Sequence, residues 1–275
     1  MTSIGRNRFL RQIMSEVNEG DPYVAVKTLV GKYRCPGESL EKVAEKLRVR
    51  KITVEPMGTD GGVYEDASGL QIKLNSSSPL RRRRFTLAHE LGHLILASRG
   101  PRGARRSHTS TELERACDAV GAELLMPLDE VRVAVPREAS TDGLLAVADR
   151  FEASLHAAAV RISQLGIWTE SVGLWKWDGS AHELWFVGRR LWPDRTVNLD
   201  AFARAMREGG TIITSELIHK VGRGAFPVDL DVRRLGREFL IAVVHEKGRS
   251  RPGRAGRSAP MAATPPAAVP HGGAK

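Results

Sequence analysis

At 275 residues the chain can bury one substantial core, or a catalytic domain with a smaller second unit. It carries 42 Lys and Arg against 32 Asp and Glu, a net charge of +10, but six basic residues and no acid follow Glu246. The rest therefore holds 36 basic against 32 acidic residues, or +4, so most of the excess is a property of the tail and does not by itself imply a nucleic-acid-binding domain. Two cysteines, Cys35 and Cys117, offer no disulfide framework, and no apolar run reaches signal-peptide or membrane-span length, so a cytoplasmic location is expected.

In chain order, residues 8–17 and 22–33 read as two short helices, the second with Asp21 as cap and Pro22 at its first position. Ser39 to Leu47 reads as a third, with Leu40, Val43, Ala44 and Leu47 on one face. Lys51 to Val54 is a short strand, and Val63–Tyr64 and Leu70–Leu74 are two more, joined by a turn near Asp66 to Gly69. Leu70–Leu74 alternates apolar and polar residues and is expected either as an edge that pairs with an extended peptide or as an internal strand. Arg81 to Arg84 follow as a solvated helix entrance or as a binding site for acidic groups, four cations being badly matched to the positive end of a helix.

Phe85-Thr86-Leu87-Ala88-His89-Glu90-Leu91-Gly92-His93 then continues as a helix through Leu94 to Ala97. Residues four apart share a helical face, so His89 and His93 can converge on one ion, with Glu90 placed to take a proton from water. Two imidazoles do not complete a catalytic zinc site, which usually has three protein ligands and an open position. A third histidine six residues after His93 is excluded, since Arg99 stands there. Downstream, Glu112 to Pro127 forms a second helical run in which Glu114 and Asp118 are one turn apart. A carboxylate ligand at Glu114 would have Asp118 beside it to orient an imidazole; Glu112 and Glu123 are the other carboxylates, and Glu123 reads as solvated.

The stretches FTLAHELGHLIL and LERACDAVGAELLMP resemble the ImmA/IrrE metallo-endopeptidases over roughly residues 40 to 165, with Cys117, Val120 and Gly121 standing where that family usually has Ala, Phe and Ala. The resemblance implies an α+β, minimal zincin-like catalytic domain, with His89, His93 and Glu114 as zinc ligands, Glu90 as the general base and Asp118 behind the ligands. It also implies a protein substrate of the helix-turn-helix repressor kind, often in stress responses or mobile elements.

Between the two ligand helices, residues 98–110 are too rich in Gly, Pro and Arg for regular structure; His108 there reads as a surface histidine, or as a proton donor or oxyanion stabiliser at the cleft. Residues 141–166 read as helix, turn, helix, with Ser154 capping the second helix and Gly166 closing it. This resembles a helix-turn-helix, but the second helix offers mainly His156, Arg161, Ser163 and Gln164 as exposed polar choices, which favours a structural hairpin over DNA reading.

Residues 168–246 read as a separate small α+β unit containing all five tryptophans, as core or as a binding face. A Gly179-Ser180 turn would set Lys176 opposite Glu183; Leu199 to Arg207 is a helix, and Thr211–Ile213 and Phe239–Val244 are strands. The expected organisation is a metallopeptidase domain over 1–140, a helical hairpin over 141–167, the tryptophan-rich unit over 168–246 and a disordered basic tail over 247–275. The function expected is a zinc-dependent endopeptidase. The alternatives are a regulator that binds DNA through residues 141–166 and the tail around a structural zinc, and a partner-binding protein that uses the tryptophan-rich unit.

Overall fold

The computed structural model describes residues 7–97, 111–168, 170–177, 182–185, 199–220 and 224–246. Three short capped helices open the chain: α1 (Arg8–Glu16), α2 (Pro22–Val30) and α3 (Leu40–Lys46). The side chains of Asn7, Asp21 and Ser39 accept from their first free amides, and Pro22 takes a first-turn position where no amide hydrogen is needed. Asn7 also donates to the Glu112 carbonyl at 2.6 Å, which fastens the start of α1 to the helical segment that begins at Thr111.

A three-stranded sheet follows, made of β1 (Val49–Glu55), β2 (Gly61–Asp66) and β3 (Gly69–Asn75) in the order β1-β3-β2. The β2–β3 hairpin is antiparallel, and β1 pairs with β3 in parallel. Leu70–Leu74 is thus internal, hydrogen-bonded on both sides, and the open edge expected there as one alternative is not available. Ile72 and Leu74 are buried against the core, as the period-2 pattern requires.

Helix α4 (Leu80–Ala97) begins five residues before the apolar run and takes in the arginine cluster. The four cations are not a free basic patch. Arg81 pairs with Asp149 at 2.6 Å, Arg82 with Asp60 at 2.5 Å and Arg84 with Glu152 at 3.1 Å, while Arg83 donates to the Ser76 carbonyl. These carboxylates put negative charge around the positive end of the helix and offset the mismatch expected there.

Helix α5 (Thr111–Leu125) runs antiparallel to α4 and is followed by α6 (Leu128–Ala134), Pro127 lying between them. Helices α7 (Thr141–Arg150) and α8 (Leu155–Gln164) form the hairpin, with Ser140 and Ser154 capping them and Gly166 in the left-handed conformation at φ +61. Ala158, Ala159, Arg161 and Ile162 of α8 are buried. Arg161 was expected to be exposed; it lies instead within the core, leaving His156 as the exposed polar residue of that helix.

The last part is a five-stranded antiparallel sheet of β4 (Ser171–Trp177), β5 (His182–Trp185), β6 (Thr211–Lys220), β7 (Gly224–Leu235) and β8 (Phe239–Glu246), in the order β5-β4-β8-β7-β6. Lys176 pairs with Glu183, as the hairpin spacing predicts, although the turn residues themselves lie outside the described residues. Helix α9 (Leu199–Glu208) covers one face, where Phe202, Ala205 and Met206 meet Trp175, Val228, Leu230, Val232, Leu240, Ala242 and Val244. The alternate residues Ile241 and Val243, with Val172 and Trp168, face the other way into the core that contains α4, α5, α7 and α8. Trp168 and Trp175 are therefore core residues; Trp192 lies outside the described residues. The junction is also polar: Asp231 of β7 accepts from the Thr141 amide at 2.7 Å and the Thr141 hydroxyl at 2.8 Å, and Arg233 pairs with Asp142. Among the described residues no helix is long and apolar enough to cross a membrane.

Candidate metal centre

The four-residue spacing on α4 sets His89 and His93 on one face, their rings edge to face at 4.9 Å between centroids and their Nε2 atoms 3.1 Å apart. Glu114, in the first turn of α5, brings Oε2 to 3.2 Å from Nε2 of His89 and Oε1 to 3.6 Å from Nε2 of His93. Around a tetrahedral zinc at its usual nitrogen and oxygen distances, neighbouring ligand atoms are about 3.3 Å apart. The three separations bracket that value. Oε1 of Glu114 is buried with no hydrogen-bond partner, an arrangement that costs stability unless a cation or donor completes it. The donor set, two imidazole nitrogens and a carboxylate, suits zinc or a similar transition metal, so the residues present fit such an ion.

Asp118, one turn further along α5, stands 2.9 Å from Nδ1 of His89. A carboxylate only accepts, so the proton of a neutral His89 belongs on Nδ1, and the Nε2 lone pair is left facing Glu114 and His93. Burial alone would lower the His89 imidazole, but the hydrogen bond it donates to Asp118 and the charges of Asp118, Glu90 and Glu114 bring it above the ordinary histidine value. His93 is held below that value by burial and by its neighbour His89, which outweigh the pull of Glu114 and Asp118.

Glu90 lies between the two histidines in sequence and is 9% exposed. Burial raises its carboxyl, against the pull of His89 and with the push of Glu114. A buried carboxylate beside a metal-ligand cluster is suited to taking up and releasing a proton. Cys117 is buried beneath the same helices, and burial pushes its thiol far up, so it behaves as a small apolar residue.

The other carboxylates point elsewhere. Glu112 lies 3.3 Å from Arg8, on the side of α5 held by α1. Glu123, expected to be solvated, is 3% exposed, pairs with Arg161 and accepts from the Leu128 amide at 3.1 Å. The sequence signal for that pair was present but easily passed over: Glu123 directly precedes Leu124-Leu125-Met126, and Arg161 shares a helical face with Ala158 and the flanking Ile162. His108 lies outside the described residues.

Residues 44–163 match the model of the IrrE N-terminal-like domain, a peptidase family. Over this segment the chain is similar to the ImmA/IrrE family. The match includes His89, Glu90, His93, Glu114 and Asp118, and it runs through the helical hairpin almost to the end of α8. No curated protein matches the chain. Among solved structures, a Mycobacterium tuberculosis transcriptional regulator is similar at a TM-score of 0.51 and 14% identity, over 86% of this chain and 79% of that one. At that identity the likeness is one of fold. The matched segment thus contains the three-stranded sheet, α4, α5 and the hairpin, and the five-stranded sheet lies beyond it.

Proposed function

We propose that the protein is a zinc-dependent endopeptidase in which His89, His93 and Glu114 hold the ion and Glu90 is the general base. The observation that carries this reading is the convergence of Nε2 of His89, Nε2 of His93 and a carboxylate oxygen of Glu114 within 4.8 Å of one another, with Glu90 buried beside them. Zinc, when bound, polarises a peptide carbonyl and acidifies water. Glu90 accepts a proton from the attacking water and delivers it to the leaving amide nitrogen. Asp118 positions His89 by holding its Nδ1 proton, and the raised carboxyl of Glu90 makes it a stronger base toward the water proton than a solvated glutamate would be.

The substrate proposed, on the resemblance to ImmA/IrrE endopeptidases, is a helix-turn-helix repressor, and the location proposed is the cytoplasm. The alternative in which residues 141–166 read DNA is disfavoured by α8, whose Ala158, Ala159, Arg161 and Ile162 are buried where a reading helix would present side chains to bases. The test is Glu90→Gln in the full chain. Retention of one zinc with loss of cleavage of a repressor cleaved by the wild type supports the assignment; unchanged cleavage removes Glu90 from the mechanism.

A further inference from the structure

Glu112 is a carboxylate that the proposed mechanism does not use, yet it is held from outside its helix at two points. Nε of Arg8 lies 3.3 Å from its Oε2, and Nδ2 of Asn7 donates to its backbone carbonyl at 2.6 Å. The Arg8 pair is exposed at both ends, 63% and 44%, and such pairs contribute little. The Asn7 contact differs in kind, because Asn7 is only 4% exposed. A donor buried to that degree is costly to leave without its acceptor.

The two halves of the Asn7 amide each fix one helix. Its Oδ1 accepts from the Phe9 amide at 3.0 Å and the Leu10 amide at 3.3 Å, which caps α1. Its Nδ2 crosses 105 residues of sequence to the first turn of α5. Helix α1 is itself seated in the core, where Leu10 and Ile13 are buried with residues of α2, α4 and α5. The start of α5 is thereby tied to an element with a fixed place. Asn7 lies outside the segment that matches the family model, which begins at residue 44.

The turn it holds is the one that carries Glu114, two residues past Glu112. The first turn of a helix has free amides and frays before the interior does. His89 and His93, by contrast, lie inside α4 with helical residues on both sides. Glu114 brings Oε2 to 3.2 Å from Nε2 of His89 and Oε1 to 3.6 Å from Nε2 of His93. Oε1 is buried with no hydrogen-bond partner, so no protein donor fixes that oxygen, and its place follows from the backbone of the turn.

We infer that Asn7 is a positioning residue for the metal site, holding the first turn of α5 so that the Glu114 carboxylate meets His89 and His93. It acts through the Glu112 carbonyl and the α5 backbone, without contact with substrate. This inference rests on the reading of His89, His93 and Glu114 as a metal site.

The test compares the full-length wild type with Asn7→Ser, Asn7→Asp and Leu240→Ala. Serine and aspartate both keep the cap on α1. The serine hydroxyl is shorter and is committed to that cap, and aspartate presents an oxygen where the Glu112 carbonyl needs a donor. Leu240→Ala is the control for general destabilisation, since it opens a cavity in the core beneath α9, away from the site. Zinc affinity is measured by competition with a chelator, the visible spectrum is recorded with Co(II) in place of zinc, and Tm is taken on the zinc-free proteins. The expected result is a loss of zinc affinity of roughly tenfold or more in each Asn7 variant, the scale of effect seen when ligand orientation is disturbed. The Co(II) spectrum should change with it, while Leu240→Ala lowers Tm and leaves affinity and spectrum as in the wild type. Asn7→Ser buries no new charge and decides the matter where Asn7→Asp does not fold. Wild-type affinity and spectrum in the Asn7 variants, or an equal loss in Leu240→Ala, overturn the inference and leave the metal site standing. A wild type that binds neither zinc nor Co(II) overturns the metal reading itself and this inference with it.

Discussion

Arg161 of α8 extends into the core to pair with Glu123 near the end of α5, and both side chains are almost completely shielded from water, at 2% and 3% exposure. The Arg161 guanidinium also donates to the Met126 carbonyl at 3.0 Å, and Glu123 accepts from the Leu128 amide, so the pair closes the turn between α5 and α6. Burial pushes Glu123 up and Arg161 down, and each charge opposes that effect on the other. The hairpin helix α8 is in this way tied to the helix that carries Glu114 and Asp118.

Removing one member leaves the other charged and buried. Arg161→Ala or Glu123→Ala should cost about 3–5 kcal/mol of stability, the usual penalty for breaking such a pair. Replacing both together, as Arg161→Met with Glu123→Leu, should cost less than either single change, because no unpaired charge remains. Chemical denaturation of the three variants checks the order; a double variant less stable than both singles would contradict it.

In the proposed metal site Asp118, 2.9 Å from Nδ1 of His89, would act through the proton on that nitrogen. Asp118→Asn keeps the size of the side chain but removes the charge and the unambiguous acceptor, so His89 loses its fixed tautomer. Zinc affinity should fall by roughly 10- to 100-fold, with little change in Tm of the zinc-free protein. Calorimetric titration with zinc, alongside a thermal melt, separates the two effects.

Asp60 is held below its ordinary carboxyl value of 3.8 chiefly by the hydrogen bond from Arg82, with Ser78 adding a second. A carboxylate whose folded-state pKa is depressed stabilises the fold above its unfolded value and loses that contribution as the pH falls through the folded one. This part of the acid sensitivity should therefore appear below about pH 4. The pair is substantially exposed, so its effect should be small and weakened by salt. Asp60→Asn should lower stability at neutral pH and flatten the stability profile on the acid side, measured as urea midpoints across pH.

Much of the local structure was legible because it depends on neighbours in sequence. Asp21 before Pro22, Ser39 before Leu40 and Ser154 before Leu155 each cap a helix through their own side chains. The hairpin register from Lys176 to Glu183 follows from turn length alone. The internal position of Leu70–Leu74 was not legible, because the parallel pairing of β1 with β3 is made by a segment about 20 residues away, and a period-2 pattern is the same on an edge as in the middle of a sheet. Strand β7 also went unread, since Pro227 and its alternating charges mask its apolar face until α9 covers it.

For the site, the i, i+4 spacing of His89 and His93 on a helical period determined that the two imidazoles share a face, and the sequence alone sufficed for that. It also determined that Glu114 and Asp118 share one, as the same rule applies to α5. Tertiary structure decided which carboxylate meets the histidines: Glu114 does, while Glu112 turns to Arg8 and Glu123 to Arg161. Tertiary structure also decided that Arg161 is core and that Asp231 holds the start of α7, contacts spanning 38 and 90 residues. The physical reason is the range of the forces that specify each feature. Helical periodicity and capping act within one or two turns, whereas the partner of a buried charge is set by which backbones come close, and here that includes the approach of α4 and α5 at Gly92 and Gly121.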